Sequence, residues 1–267
     1  IYQFEDLTVD CTRQLLDDEG MTALLHFAEK CQLQTRIHEM FSGAPVNITE
    51  HKPVQHMAAR TPNHLASVAY QKLSAFADSV RRNPNITTVV NLGIGGSDLG
   101  PKMVTQALAG FHDGPICHFV GNICPTDLND VLVTCDPHKT LFIVTSKTFT
   151  TAETTANAMM AKDWLNRHGA DVDTAMAAVT AARNRAQVWG IHPDHIFAFA
   201  DGIGGRYSVW SSVGLSVMIA IGSENFSRML AGAYAMDCHV QHTELAQNIA
   251  VIMGLLRVWC RRYLKLP

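Results

Sequence analysis

The stretch Val90-Asn91-Leu92-Gly93-Ile94-Gly95-Gly96-Ser97-Asp98-Leu99-Gly100-Pro101 decides how this chain folds. It joins an apolar, β-branched run at residues 87–92 to a glycine-rich turn and then to a segment suited to a helix. That order is typical of a parallel α/β sheet, in which ligands bind beyond the carboxyl ends of the strands. We therefore expect a ligand-binding turn here, with Ser97 either capping the helix or donating its hydroxyl to an anion. Pro101 is expected in the first helical turn, where amides lack partners.

The glycine spacing in this turn does not match two common nucleotide-binding motifs. A dinucleotide fingerprint that starts at Gly93 requires glycine at the position of Asp98. A P-loop that starts at Gly95 requires Lys-Ser or Lys-Thr where Pro101-Lys102 stand. Taken alone, the segment is also compatible with a tight structural turn that binds nothing.

The pattern on either side of this turn extends the α/β interpretation to most of the chain. Apolar runs predict strands at 87–92, 116–120, 140–145 and 196–199. Amphipathic stretches predict helices at 65–82, 98–109, 151–168, 173–189, 206–221, 223–235 and 242–264. Residues 1–61 are predicted to form a helical arm, 62–222 a three-layer αβα sandwich around a parallel sheet, and 223–267 a set of helices beyond it.

Two further segments follow predicted strands and carry polar side chains. Residues 145–154, Thr-Ser-Lys-Thr-Phe-Thr-Thr-Ala-Glu-Thr, combine hydroxyls, an ammonium and a helix start, which suits a phosphate dianion. The alternative is a capping box formed by Thr150 and Glu153, with Lys147 in solvent. Residues 201–210 place Arg206 at a helix start after paired glycines, where it can stabilise an oxyanion. The alternative there is a structural pair between Arg206 and Asp201.

Composition limits the classes of partner and cofactor. The formal net charge is −3, with 21 basic and 24 acidic residues, so we expect binding neither to nucleic acid nor to a membrane surface. The seven cysteines include no C-x-x-C pair, which favours a reducing cytoplasm over a disulfide framework or a zinc site. No metal or other cofactor is predicted. Because the chain lacks an initiator Met and a secretory signal, we expect it to begin inside a longer protein.

Three segments together resemble the signature segments of the glucose-6-phosphate isomerase family. They are residues 90–101, residues 146–154 and Gly204-Gly205-Arg206-Tyr207-Ser208-Val209-Trp210-Ser211. The resemblance extends to residues 40–60 and 225–237, and so covers almost the whole chain. It implies two sugar-isomerase (SIS-type) αβα sandwiches in a homodimer, of which this chain supplies the amino-terminal one. It also implies the interconversion of glucose 6-phosphate and fructose 6-phosphate through a cis-enediolate.

The resemblance also implies roles for individual residues. Arg206 would stabilise the enediolate, and Glu153 would lie behind the substrate contacts as a partner of the ring-opening histidine. The residues that would contact the sugar phosphate are Gly96, Ser97, Ser146, Lys147, Thr148, Phe149, Thr150, Thr151 and Gly205.

The family's glutamate base, ring-opening histidine and carboxyl-terminal lysine would lie outside this chain. The 267 residues alone are therefore expected to be inactive. The competing hypothesis is a sugar-phosphate-binding module of a regulator that catalyses nothing. A DNA-reading helix pair beside the sandwich would favour that alternative, and the sequence shows none.

Overall fold

A computed structural model describes residues 1–266 of the chain. It divides into two compact units, one formed by Ala58–Ala231 and the other by Ile1–Met57 with the segment from Gly232 onward. The division at residue 231 falls within a single long helix, Ser223–His242. The candidate site lies in the unit 58–231.

The unit 58–231 is built around a five-stranded parallel sheet. Strands β1 (Tyr2–Phe4) and β2 (Leu7–Val9) lie outside this unit. The strands of the sheet are β3 (Thr88–Leu92), β4 (Ile116–Val120), β5 (Thr140–Thr145), β6 (Met176–Val179) and β7 (Ile196–Phe197). Their order in the sheet is β4-β3-β5-β6-β7, and every neighbouring pair is parallel. The chain thus adds β4 on one side of β3 and then adds β5 on the other.

The helices of the chain are numbered in order along its length. They are α1 (Asp18–Lys30), α2 (Leu33–Phe41), α3 (Pro62–Leu65), α4 (Val68–Arg82), α5 (Gly96–Ala107), α6 (Pro125–Leu132), α7 (Ala152–Arg167), α8 (Val172–Ala175), α9 (Arg183–Trp189), α10 (Leu215–Ile221), α11 (Ser223–His242) and α12 (Ile249–Val258). Short 3₁₀ turns occur at Ala58–Arg60, Ala109–Phe111, Pro193–His195, Gly205–Trp210 and Ser212–Gly214.

Helices cover both faces of the sheet and bury its side chains. On β5, Leu141 and Ile143 pack into a cluster that includes residues of α4, α5 and α10. Phe142 and Val144 point the other way, into a cluster with residues of α6, α7 and α9. All six residues of β5 are buried, which explains why this strand is a continuous apolar run rather than an alternating one. The predicted three-layer α/β class is confirmed.

The prediction of a single helix at 173–189 is wrong, because this segment contains strand β6. Its sequence is Met-Ala-Ala-Val, and all four residues are buried between β5 and β7. Alanine favours a helix in isolation, but two neighbouring strands pair with this backbone and override that preference. The predicted strand at 196–199 is also shorter, since only Ile196–Phe197 pair with β6.

The helix predicted at 206–221 is also interrupted. It divides into the 3₁₀ turns Gly205–Trp210 and Ser212–Gly214 and then α10, because Ser211 between them has an extended backbone and caps Val213. The helix predicted at 242–264 begins only at Ile249, with Asn248 as its N-cap, and passes into a π-helical turn at Trp259–Tyr263.

The other unit is mainly helical. Its apolar cluster joins α1, α2 and α12 through buried residues such as Leu24, Ile37 and Leu255. The first residues, predicted as part of a helical arm, instead pair as a two-stranded antiparallel hairpin, β1 (Tyr2–Phe4) with β2 (Leu7–Val9). Across residues 1–266, no helix is both long and apolar enough to cross a membrane.

Candidate functional site

The candidate site lies where the order of the strands reverses, at the carboxyl ends of β3 and β5. Three loops meet there: the glycine loop (93–97) after β3, the hydroxyl loop (146–151) after β5 and the arginine loop (201–206) after β7. α5 and α7, which follow the first two loops, cover opposite faces of the sheet. Their amino-terminal ends therefore flank one crevice, the position where open parallel sheets bind ligands.

The glycine loop enters α5 directly. α5 begins at Gly96, and its N-cap, Gly95, has a φ of 58°, which glycine adopts without strain. Ser97 is not the predicted cap, because it lies within the first turn of α5 with its side chain half-buried at the crevice. Pro101 is the sixth residue of the helix, not part of the first turn as predicted.

The glycine loop and the arginine loop touch through their backbones. A Cβ atom added to Gly96 would lie 2.0 Å from the carbonyl oxygen of Gly205, so no side chain fits between these two segments. Ser208 stabilises this contact. Its Oγ donates to the carbonyl oxygen of Gly205 at 2.7 Å and lies 3.4 Å from the carbonyl oxygen of Gly96. The paired glycines predicted as ligand-binding residues therefore also bring β3 and the arginine loop together.

The hydroxyl loop is held by its own side chains. The Oγ of Ser146 accepts the amide of Phe149 at 3.1 Å and shares a hydrogen bond with the hydroxyl of Thr151. Phe149 has a φ of 53°, unusual for a residue with a Cβ, and its buried ring packs edge-on against Trp189. This ring anchors the loop, so Phe149 can meet a ligand only through its backbone.

The predicted capping box at the start of α7 is not formed. The N-cap is Thr151, which makes no capping hydrogen bond through its side chain, and the Thr150 hydroxyl pairs with that of Thr148 at 2.8 Å. Within residues 1–266, the Glu153 carboxylate accepts no hydrogen bond. Thr148 and Thr150 are exposed, so their hydroxyls face solvent at the helix start.

Lys147 links the hydroxyl loop to the arginine loop. Its ammonium lies 3.1 Å from the carboxylate of Asp201 and donates to the Asp201 carbonyl at 2.5 Å. Asp201, the partner expected for Arg206 under the structural alternative, is therefore paired with Lys147. Arg206 is exposed, and its guanidinium lies 5.9 Å from the ring centre of Tyr207. The hydroxyl loop and the arginine loop thus each carry one cation, Lys147 and Arg206.

Several backbone amides at this edge have no partner of their own. In the part of the chain that the structure describes, the amides of Gly95, Thr148 and Thr150 donate no hydrogen bond. α5 and α7 also direct the positive ends of their dipoles toward the same crevice. Unpaired amides, hydroxyls and two cations together form an arrangement that can bind a doubly charged anion.

Sequence reasoning missed the residues that support these loops from behind. The Thr180 hydroxyl donates to the Lys147 carbonyl at 3.2 Å, and the Arg185 guanidinium donates to the Thr148 carbonyl at 2.9 Å. Buried Asn91 bonds to the backbone of Ser97. Only Asn91 had a visible signal, as a polar residue within an apolar strand directly before the glycines.

Asp98 is a buried acid beside the glycine loop. It lies in the first turn of α5 against Gly121, and its Oδ1 has no hydrogen-bond partner within residues 1–266. Burial raises the pKa of Asp98, and nearby Lys102 only partly opposes that shift. We find no group of three or more His, Cys, Asp or Glu side chains suited to a metal ion among the described residues.

Comparison with known proteins gives consistent matches along the chain. The family model described as phosphoglucose isomerase matches residues 10–266. Glucose-6-phosphate isomerases from Ruegeria sp. and Brucella ovis are each 42% identical to it, over 95% and 96% of this chain and 51% of their own lengths. A crystal structure of a glucose-6-phosphate isomerase from Chlamydia trachomatis superposes with a TM-score of 0.81 at 30% identity, covering 92% of this chain and 51% of that one. The chain spans about half the length of these relatives.

Replacing Gly96 with alanine tests the contact between the two backbones. The new methyl group would overlap the carbonyl of Gly205, so we expect the free energy of unfolding to fall by about 2 kcal/mol or more. Gly110→Ala is the control, because a Cβ at Gly110 would meet nothing within 4 Å. Urea denaturation measures both variants, and equal stability of the two would contradict the close approach.

Replacing Asp98 with asparagine tests the buried acid. Because the pKa of Asp98 is raised in the folded state, wild-type stability should decline as pH rises through that pKa. Asp98→Asn removes this decline, so its stability relative to wild type should increase between about pH 4 and pH 7. Thermal unfolding across this range measures the difference, with the exposed Asp130→Asn as control. A difference that does not change with pH would contradict the assignment.

Proposed function

The chain belongs to the phosphoglucose isomerase family, and we propose that its protein interconverts glucose 6-phosphate and fructose 6-phosphate through a cis-enediolate. The observation that carries the proposal is the convergence of unpaired amides, hydroxyls, Lys147 and Arg206 at the start of α5 and α7. We propose that the site binds the phosphate of the sugar and places the reacting carbons near Arg206.

We assign phosphate binding to the glycine loop, the hydroxyl loop and Gly205 of the arginine loop. The proposed contacts are Gly96, Ser97, Ser146, Lys147, Thr148, Phe149, Thr150, Thr151 and Gly205, with Phe149 acting through its backbone. A phosphate dianion would compete with Asp201 for the Lys147 ammonium, whose side chain is 31% exposed and therefore reachable from solvent. Binding energy from this distant group would position the carbons that react.

We propose that Arg206 stabilises the charge that develops on the enediolate oxygens. Abstraction of a proton next to a carbonyl leaves an oxyanion, and a guanidinium that is always protonated can offset that charge. Glu153, in the first turn of α7, is proposed as a partner of the ring-opening histidine and not as the base. The base and the ring-opening groups are assigned to no residue of this chain.

Further features of the whole protein are proposed from the family and the composition. We propose that residues 62–222 form the first SIS-type domain and 1–61 an arm, with the helices after 222 leading toward a second sandwich. The family resemblance supports a homodimer. The seven cysteines are all free in the structure, which supports a cytoplasmic location.

A coupled assay on the full protein tests the proposed activity. Fructose 6-phosphate is supplied, and glucose 6-phosphate is detected by a dehydrogenase that reduces NADP. Turnover supports the proposal. Binding of glucose 6-phosphate by calorimetry without turnover would favour the regulatory alternative, and absence of both would refute any sugar-phosphate function.

Replacing Lys147 with methionine tests the phosphate site. Loss of one charge-assisted hydrogen bond should weaken binding of both inorganic phosphate and glucose 6-phosphate by about tenfold to a hundredfold. Lys72→Met is the matched control, because Lys72 also forms an ion pair, with Asp194 at 2.8 Å, outside the three loops. Calorimetry measures the affinities; if Lys147→Met binds both anions as tightly as Lys72→Met, the site is assigned wrongly.

Replacing Arg206 with alanine tests its proposed action on the enediolate. We expect kcat to fall on the order of a hundredfold while KM changes little, as when one oxyanion donor is removed. Arg228→Ala serves as control, since Arg228 lies on α11 and donates to Asn225. Steady-state kinetics separate the two constants, and a rise in KM alone would argue against the role of Arg206.

A further inference from the structure

A buried polar chain connects the glycine loop to the hydroxyl loop beneath the crevice. The Thr145 hydroxyl donates to the Oδ1 of Asn91 at 3.0 Å, and the Nδ2 of Asn91 donates to the Ser97 carbonyl at 2.9 Å. Both Asn91 and Thr145 are completely buried. They lie on neighbouring strands, β3 and β5, which otherwise present mainly apolar side chains here.

The hydrogen bond from Asn91 satisfies the Ser97 carbonyl, which Pro101 leaves without a helical donor. In an α-helix the carbonyl of Ser97 would accept the amide of residue 101, four positions later, but proline has no N–H. Asn91 supplies a donor in its place. The first turn of α5, which carries Ser97 and follows Gly95, is thereby attached to the sheet by a side chain and not only by its own helix.

The bond from Thr145 determines which way the Asn91 amide faces. Because the hydroxyl donates to the amide oxygen, the amide nitrogen must point toward Ser97. Thr145 is also the last residue of β5, directly before Ser146 and Lys147. The chain from Thr145 through Asn91 to Ser97 therefore joins the two loops across the point where the strand order reverses.

We propose that Asn91 and Thr145 are positioning residues that set the spacing between the glycine loop and the hydroxyl loop, and through it the affinity for a phosphate ester. The proposal rests on the phosphate-binding function proposed above. A buried polar pair adds little net stability over an apolar pair of the same shape, so packing alone does not account for it. The Thr145–Asn91 hydrogen bond is explained if the anion donors of the two loops must be held at a fixed separation.

Thr145→Val is the decisive variant, because it keeps the shape of the side chain and removes only the donor. The same strand offers a matched control in Thr140→Val. Thr140 is also buried and donates its hydroxyl to a carbonyl, that of Asp136 at 2.7 Å, but it lies at the opposite end of β5. Thr145→Ser, which retains the hydroxyl, serves as the rescue variant.

In the full protein, Thr145→Val should bind inorganic phosphate about tenfold more weakly than Thr140→Val, at a comparable urea midpoint. Thr145→Ser should bind close to wild type. Amide hydrogen exchange should be faster in Thr145→Val at the hydrogen-bonded amides of both loops, Ser97 in the glycine loop and Phe149 in the hydroxyl loop, but unchanged there in Thr140→Val. Equal phosphate affinity of the two valine variants would overturn the proposal, and so would unchanged exchange in either loop.

The two measurements separate this inference from the proposed function. If the wild-type protein binds no inorganic phosphate and no glucose 6-phosphate, the proposed function fails. Hydrogen exchange then still decides whether Thr145 couples the two loops, because that readout requires no ligand. Joint loosening of both loops would support the positioning role, and loosening of neither would refute it.

Discussion

Two helices of this protein begin at the same crevice because the strand order reverses at β3. β4 and β5 flank β3 on its two sides, and α5 and α7 cover opposite faces of the sheet. Each helix start leaves amides without intrahelical partners, so two sets of donors converge at the carboxyl ends of β3 and β5. The contacts proposed in the glycine loop and the hydroxyl loop follow from this convergence.

The two cations of the hydroxyl and arginine loops differ in their partners. Lys147 pairs with Asp201, while Arg206 stands exposed on the same loop. Because the Lys147 and Asp201 side chains are partly exposed, solvent screens the pair and its contribution to stability is small. An anion can therefore replace the carboxylate of Asp201 at little cost, which suits a site that binds and releases a phosphate ester.

Strong local signals were enough to predict most of the fold. The predicted bounds of β4 and β5 agree with the structure, because both are short runs rich in branched and aromatic residues; β5 is buried along its whole length, whereas β4 lies at the edge of the sheet and is mostly half-exposed. β6 was missed because Met-Ala-Ala-Val contains no such signal, and only pairing with β5 and β7 makes it a strand. The capping alternatives for Ser97 and Thr150 are not formed, because the N-caps of α5 and α7 are Gly95 and Thr151.

The class of fold and the order of the three loops could be read from the sequence, since residue type and spacing are local properties of the chain. Which residues contact one another follows from the folded arrangement of the strands and loops. Gly96 packs against the backbone of Gly205, and Asp201 forms an ion pair with Lys147. The Asn91 side chain donates to the Ser97 carbonyl, which the amide-less Pro101 cannot do. Gly96 and Gly205 are 109 positions apart in the sequence, and Lys147 and Asp201 are 54 positions apart. Asn91 and Ser97 are only 6 positions apart, but their hydrogen bond depends on the turn of the chain between β3 and α5. Residue type and spacing alone do not specify these contacts.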